Sequence, residues 1–114
     1  MTEKRHLYVL WTNANPITAE NMVFMYTTNA LFHGWWKEVT LIIWGAPTQL
    51  VAENEHIQKL VKDAKEADVH ISACKACAEK LGVRDELENL NIEVKHWGSP
   101  LTELLKSNEK LLTI

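Results

Sequence analysis

Glycine and proline are scarce in this chain of 114 residues, which contains four glycines and three prolines. The loop after the first predicted strand, WTNANP, has no glycine at all. Dinucleotide-binding fingerprints and phosphate-binding loops need several glycines for their tight turns. The same loop is not the Ser/Thr-rich type expected around a flavin phosphate. A nucleotide or flavin site is therefore disfavoured.

Excess charge of either sign is also missing, because 12 Lys and Arg residues face 15 Asp and Glu residues, for a net charge of −3. Without a basic stripe the chain lacks the electrostatic footprint that nucleic acids demand, and no basic amphipathic helix suggests a membrane surface. No apolar run approaches the roughly 20 residues that span a bilayer, and no secretory leader is visible. We expect a cytoplasmic protein that binds neither nucleic acid nor membrane.

Cysteine is limited to two residues, too few for a disulfide scaffold. The two thiols, Cys74 and Cys77, are three positions apart in ISACKACAEKLGV. In a reducing compartment such a pair is more often catalytic, redox-active or metal-binding than structural. The pair is therefore the first candidate for a functional site.

Hydrophobic periodicity divides the chain into alternating strands and helices. Strands are predicted at 6–11, 39–44, 68–74, 92–97 and 110–114, and helices at 17–33, 57–64, 75–82, 84–90 and 101–105. Strands that alternate with helices imply right-handed crossovers and a mostly parallel sheet. We predict one domain over residues 1–114, a three-layer α/β/α flavodoxin-like fold with a mostly parallel five-stranded sheet.

The carboxyl ends of the predicted strands gather aromatic and polar residues at one edge of the sheet. Ligands of open α/β sheets bind in the crevice outside these ends. A partly apolar pocket around a thiol follows from this placement. Its predicted lining is Trp11, Asn13, Trp44, His96 and Trp97.

Cys74 is the stronger candidate for reactivity, because it falls at the start of a helix, where unpaired backbone N–H groups favour an anion. Cys77 lies one turn further on, close enough to resolve a disulfide or share a metal. Both residues could instead be small core fillers, Cys77 more readily because it is expected on the inward side of its helix. His96 could move a proton at this site or simply be solvated. A structural metal site is disfavoured, since no second CxxC or spaced His pair is present.

The strand–cysteine–helix segment ISACKACAEKLGV, followed by NIEVKHWGSPLTELL, resembles the DsrE/DsrF-like sulfur-relay proteins. The resemblance covers nearly the whole chain, and its most specific part is Cys74 with Gly82-Val83 behind it. It implies a DsrE-like fold, a persulfide carried on Cys74, no organic cofactor and homo-oligomers, often trimers or hexamers. It also implies sulfur donors and acceptors, either proteins or small sulfur species, as partners. Cys77 departs from many members, which have a small apolar residue there.

Three functions remain open at this point. The first is a sulfur carrier, possible sulfurtransferase, with a persulfide on Cys74 and Cys77 as the resolving or modulating thiol. The second is a thiol-disulfide redox protein that uses the Cys74–Cys77 pair directly, although in thioredoxin-like chains the motif follows an early strand. The third is a non-enzymatic oligomeric binding module in which the cysteines only pack.

Overall fold

A computed structural model describes residues 4–114, which form a five-stranded sheet flanked by helices. Every strand pair is parallel, and the strand order across the sheet is β4-β3-β2-β1-β5. The α/β fold with a mostly parallel five-stranded sheet is therefore confirmed. The strands are β1 (His6–Trp11), β2 (Glu38–Ile43), β3 (His70–Cys74), β4 (Glu93–Lys95) and β5 (Lys110–Thr113).

One or more helices follow each of the first four strands along the chain. A first helical turn α1 (Pro16–Thr18) continues through a π-helical segment (Ala19–Phe24) into α2 (Met25–Phe32). The later helices are α3 (Pro47–Glu53), α4 (Glu55–Glu66), α5 (Lys75–Lys80), α6 (Arg84–Asn89) and α7 (Gly98–Lys106).

The long first helical segment begins and ends with local signals that the sequence carries. The Asn15 side chain accepts hydrogen bonds from the backbone N–H groups of Ile17 and Thr18, and Pro16 occupies the first position, where no donor is needed. At the other end Gly34 has φ +69, the left-handed conformation that stops a helix. The helix predicted at 17–33 thus forms within one residue at each end.

The two faces of the sheet are covered unequally. Right-handed crossovers from β1 through β4 all progress in one direction across the sheet, so they place α1 to α6 on the same face, while α7 returns over the other. On β1, Leu7, Val9 and Trp11 are buried under the larger layer, and the alternate residues His6 and Tyr8 are only half-buried. The second face therefore keeps polar side chains near solvent.

One helix is absent from the prediction and several bounds differ, since β3 begins at His70 rather than at 68 and α7 begins at Gly98 rather than at 101. Helix α3 is absent from the predicted set because Gly45-Ala-Pro47 resembles a turn that closes the strand, whereas Pro47 starts a helix. β4 ends at Lys95 rather than Trp97, and Trp97 caps α7. Trp97 therefore lies after the strand, and its ring lies over the sheet, where the indole N–H donates to Ser72. Within residues 4–114 no helix is long and apolar enough to cross a membrane.

Candidate functional site

The two thiols lie where β3 passes directly into α5. Cys74 is the last residue of β3 and the N-cap of α5, with an extended backbone at φ −69 and ψ 119. Cys77 follows after one helical turn, close enough for the Cys74 thiol to be among the causes that raise the pKa of Cys77. Both cysteines are free thiols. The predicted pairing of the two residues at the carboxyl end of a strand is thus present in the structure.

The surroundings of Cys77 favour a neutral thiol. Burial raises its pKa above the ordinary value of 9.0, and the hydrogen bond and charge of Cys74 raise it further. The backbone of Gly45 and the charge of Lys80 act in the opposite direction. Gly45 follows β2 with φ +83, a conformation that glycine adopts without strain. The turn after the neighbouring strand therefore supplies a donor to the thiol.

The two cysteines differ in solvent exposure, and the difference is the opposite of the one expected from the sequence. Cys74 is 3% exposed, whereas Cys77 is half-buried. Cys77, expected on the inward side of α5, is therefore the thiol that solvent and a reaction partner meet first. The buried position next to it on the helix belongs to Ala78.

A tryptophan and a lysine lie on the same face of the sheet as Cys74. Cys74 is paired with Lys95 on β4, so their side chains point to the same face of the sheet. The Lys95 ammonium lies 4.5 Å from the centroid of the Trp97 ring. Trp97 is 4% exposed, and its indole N–H donates to the Ser72 hydroxyl over 2.8 Å. The indole ring is thus held on the same face as Cys74 by one hydrogen bond and one cation–π contact.

The other residues predicted to line the pocket do not gather around the thiols in the way that the sequence suggested. Trp11 lies in the core with its ring edge-on to Phe24, and its indole N–H has no hydrogen-bond partner in the described chain. The Asn13 side chain accepts from the backbone N–H of Asn15 and so shapes the turn. Trp44 is half-buried and His96 is exposed.

A metal centre has no ligand set in the part of the chain that the structure describes. Among residues 4–114 no three His, Cys, Asp or Glu side chains come together in a way that could hold a metal ion. The thiol pair therefore has two ligands at most, and four-coordinate zinc needs further ones.

A cavity of about 690 Å³ lies at the amino ends of the strands, away from the thiols. The sequence does not indicate this cavity, because the rule for ligand sites in open α/β sheets points to the carboxyl ends of the strands. Its polar lining includes His6, Thr40 and His70, which come from three different strands. The alternation of polar and apolar residues along each strand is visible in the sequence, but the strand register that brings these three residues together is not.

Comparisons with known structures define the class of fold. The crystal structure of the ychN protein from E. coli superposes with a TM-score of 0.66, is 14% identical in sequence, and covers 98% of this chain and 100% of that chain. At this identity the likeness concerns the fold alone. The fold is DsrE-like, as that of the ychN protein is.

A nearer relative identifies the family. The structure of BT1422, a conserved protein of unknown function from Bacteroides thetaiotaomicron, superposes with a TM-score of 0.94 at 41% sequence identity, over 96% of this chain and 95% of that chain. The chain belongs to the same family as BT1422. No protein-family model matches the chain, and no curated protein matches it either.

Proposed function

We propose that this protein is a sulfur carrier of the DsrE/DsrF-like relay type, which accepts sulfane sulfur as a persulfide at the Cys74–Cys77 pair. The observation that supports the proposal is the placement of two free thiols one helical turn apart at the carboxyl end of β3, one half-buried and one buried. A carrier needs a thiol that a donor can reach and a place where the loaded sulfur is shielded. The pair offers both.

The unequal exposure assigns a role to each thiol. Cys77 loses its proton to solvent and attacks the sulfane sulfur of the donor, whose sulfur–sulfur bond breaks and whose own sulfur leaves with the electron pair. The Gly45 backbone and Lys80 oppose the rise in the pKa of Cys77 and so favour the thiolate that attacks. The product of this step is a persulfide on Cys77.

The loaded sulfur then passes to Cys74. The Cys74 thiolate attacks the outer sulfur of the Cys77 persulfide, a new sulfur–sulfur bond forms on Cys74, and Cys77 leaves as a thiolate that takes up the proton given up by Cys74. The persulfide rests on Cys74, the position that the family resemblance implies. Burial beside Trp97 shields it from solvent thiols.

The proposal extends to location and partners. Sulfur donors and acceptors, either proteins or small sulfur species, would meet the exposed side of α5. We include in it a cytoplasmic location and a homo-oligomer, a trimer or hexamer. Sedimentation of the purified protein would show a monomer if the oligomer part of the proposal is wrong.

A second candidate function rests on the same spacing of the two thiols, one helical turn apart. If Cys74 attacks the inner sulfur instead of the outer one, a Cys74–Cys77 disulfide forms and sulfide leaves. The protein would then act as a thiol-disulfide redox pair, which a reducing thiol must restore after each cycle.

Peptide mapping after sulfur loading tests the proposal and separates it from its rival. The native protein is treated with polysulfide, trapped with an alkylating agent and digested, alongside Cys74→Ser and Cys77→Ser. We expect the added sulfur on Cys74 in the wild type, on Cys77 in Cys74→Ser, and much slower loading of Cys77→Ser. A disulfide with released sulfide would favour the redox pair, and unmodified thiols in the native state would reject both.

A further inference from the structure

Two like charges meet at the thiol pair in the reaction proposed above, because a thiolate attacks and simple inorganic sulfane donors, such as polysulfide and thiosulfate, are anions. Bringing two anions together costs free energy, which a nearby cation offsets. The net charge of the chain is −3, so the protein as a whole repels an approaching anion. A preference for anionic donors therefore requires local positive charge at the thiols.

Lys95 supplies such a charge beside the buried thiol. Cys74 and Lys95 are register partners on β3 and β4, neighbouring strands about 4.8 Å apart, and their side chains leave the sheet on the same face. The Lys95 side chain is half-buried, so its ammonium is accessible to a solute as well as to the thiol.

The Trp97 ring holds the Lys95 ammonium close to the sheet. Lys95 Nζ lies 4.5 Å from the centroid of this ring, within the range of a cation–π contact. The ring is itself fixed, since Trp97 is buried and its indole N–H donates to the Ser72 hydroxyl over 2.8 Å. A lysine without such a platform spreads its charge over many rotamers in solvent. Lys95 is therefore a positioned cation.

Lys80 supplies a second positive charge, beside the more accessible thiol. It lies three positions after Cys77 on α5, a spacing that places both side chains on one face of the helix. Burial raises the pKa of the Cys77 thiol, and the charge of Lys80 acts against this rise. Lys80 is exposed, so an approaching solute meets its ammonium. Each thiol therefore has a lysine near it.

The neighbouring carboxylates are placed away from these two lysines. Glu79 is next to Lys80 in sequence, but its carboxylate lies 3.9 Å from Arg84 Nη1. Glu93 is two residues before Lys95, roughly 7 Å along β4 toward the amino edge. Within residues 4–114 neither of the two ammonium groups forms an ion pair with a carboxylate.

We propose that Lys80 and Lys95 make the thiol pair selective for anionic reactants, so that its sulfur donors are small anions of the polysulfide or thiosulfate class. The assignment of sulfur donors rests on the proposed function. The Cys77 thiolate attacks the sulfane sulfur, the sulfur–sulfur bond of the donor breaks, and a shorter polysulfide or sulfite leaves with the electron pair. Lys80 meets the donor at Cys77, and Lys95 offsets the charge of the persulfide that rests on Cys74.

Alkylation with iodoacetate and iodoacetamide tests the preference for anions without any sulfur chemistry. The two reagents have nearly the same size and both need the thiolate, so the ratio of their rate constants reports local charge rather than burial or ionisation. Cys77→Ser isolates Cys74, and Cys74→Ser isolates Cys77. The ratio of iodoacetate to iodoacetamide rates should fall about fivefold when Lys95→Met is added to the first variant and Lys80→Met to the second, because one partly exposed opposite charge is lost. Arginine at either position should restore it.

A matched control and a salt series complete this test. Lys110→Met makes the same change of net charge at the amino end of β5, on the opposite edge of the sheet from β4, and should leave both ratios unchanged. Added salt should slow iodoacetate in the two single-thiol proteins, whereas repulsion by a chain of charge −3 alone would make salt speed it. Ratios that ignore Lys80→Met and Lys95→Met, that fall equally in Lys110→Met, or that rise with salt would overturn the proposal.

Intact mass during brief exposure to polysulfide, or to elemental sulfur as a neutral donor, tests the assignment of sulfur donors. Lys80→Met should slow the gain of sulfur from polysulfide about fivefold and change the gain from elemental sulfur less than about twofold. Equal slowing with both donors would overturn the assignment to anions. The expected alkylation ratios without any sulfur gain would overturn the proposed function and the donor assignment together, and would uphold the selectivity for anions.

Discussion

The two edges of the sheet carry different kinds of chemistry. The carboxyl edge brings together two thiols, a buried indole and a lysine over its ring, with a neutral Cys77. The amino edge carries imidazoles, carboxylates and an open cavity. The comparison teaches that one sheet separates a pair of thiols at its carboxyl edge from a cluster of imidazoles and carboxylates at its amino edge.

Strand length maintains this separation. His70 opens β3 and Cys74 closes it, and four residues at about 3.3 Å each place them roughly 13 Å apart. At that distance the histidines cannot take a proton from the thiols directly. Substitutions at the two edges should therefore have nearly additive effects.

The largest effect expected is that of Trp97→Ala at the carboxyl edge. The variant removes a buried ring together with its hydrogen bond to Ser72, and such truncations cost about 3–5 kcal/mol. Denaturant unfolding would measure the loss. Trp35→Ala is the matched control, because Trp35 is 59% exposed and its loss should stay within about 0.5 kcal/mol. Equal losses of unfolding free energy in the two variants would contradict the buried, hydrogen-bonded placement of Trp97.

Cys77→Ser should have the next largest effect, on the reactivity of the native thiols. Because Cys77 is the accessible one, alkylation of the folded variant should slow at least about tenfold, since only the buried Cys74 remains. Stopped-flow alkylation measures the rate, and Cys74→Ser serves as the reciprocal variant. A faster reaction at Cys74 than at Cys77 would reverse the roles proposed here.

The pH dependence of alkylation gives a third test. Burial and the contact with Cys74 raise the pKa of Cys77, so the folded chain holds this proton to higher pH than the unfolded chain does. The alkylation rate should therefore rise through a midpoint above 9.0. In Cys74→Ala the midpoint should move down, because one cause of the rise is gone. A midpoint below 9.0 in the wild type would be inconsistent with this environment.

Thr40→Val should have the smallest effect and belongs to the amino edge. It leaves the facing nitrogens of His6 and His70 without their shared partner, which costs about 1–2 kcal/mol. Thiol alkylation should change less than about twofold, as for sites this far apart. A large change in thiol reactivity would show that the two edges are coupled.

Much of the fold was predictable because its signals are local. The five strands follow from apolar runs, and the first helix from Asn15, Pro16 and Gly34. Helix α3 was missed because its N-terminal Pro47 comes two residues after Gly45, so that Gly45-Ala46-Pro47 resembles a turn. The π-helical segment depends on a hydrogen-bond pattern that residue periodicity does not reveal.

The candidate site was predictable only in part. The end of a parallel strand fixes where Cys74 lies, but the exposure of each thiol depends on how α5 packs, which a six-residue helix does not specify. The grouping of His6, Thr40 and His70 could not be predicted, because these residues are aligned by strand register. Register is set by tertiary packing and not by any one strand.

The central claim is tested most directly by the intact mass of the native protein after exposure to polysulfide. The wild type and Thr40→Val should each gain about 32 Da per sulfur added to a thiol, and the double variant Cys74→Ser/Cys77→Ser should gain nothing. That result would establish sulfur loading at the carboxyl edge. An unchanged mass of the wild type would contradict the account, and an equal gain in the double variant would show that the sulfur is held elsewhere.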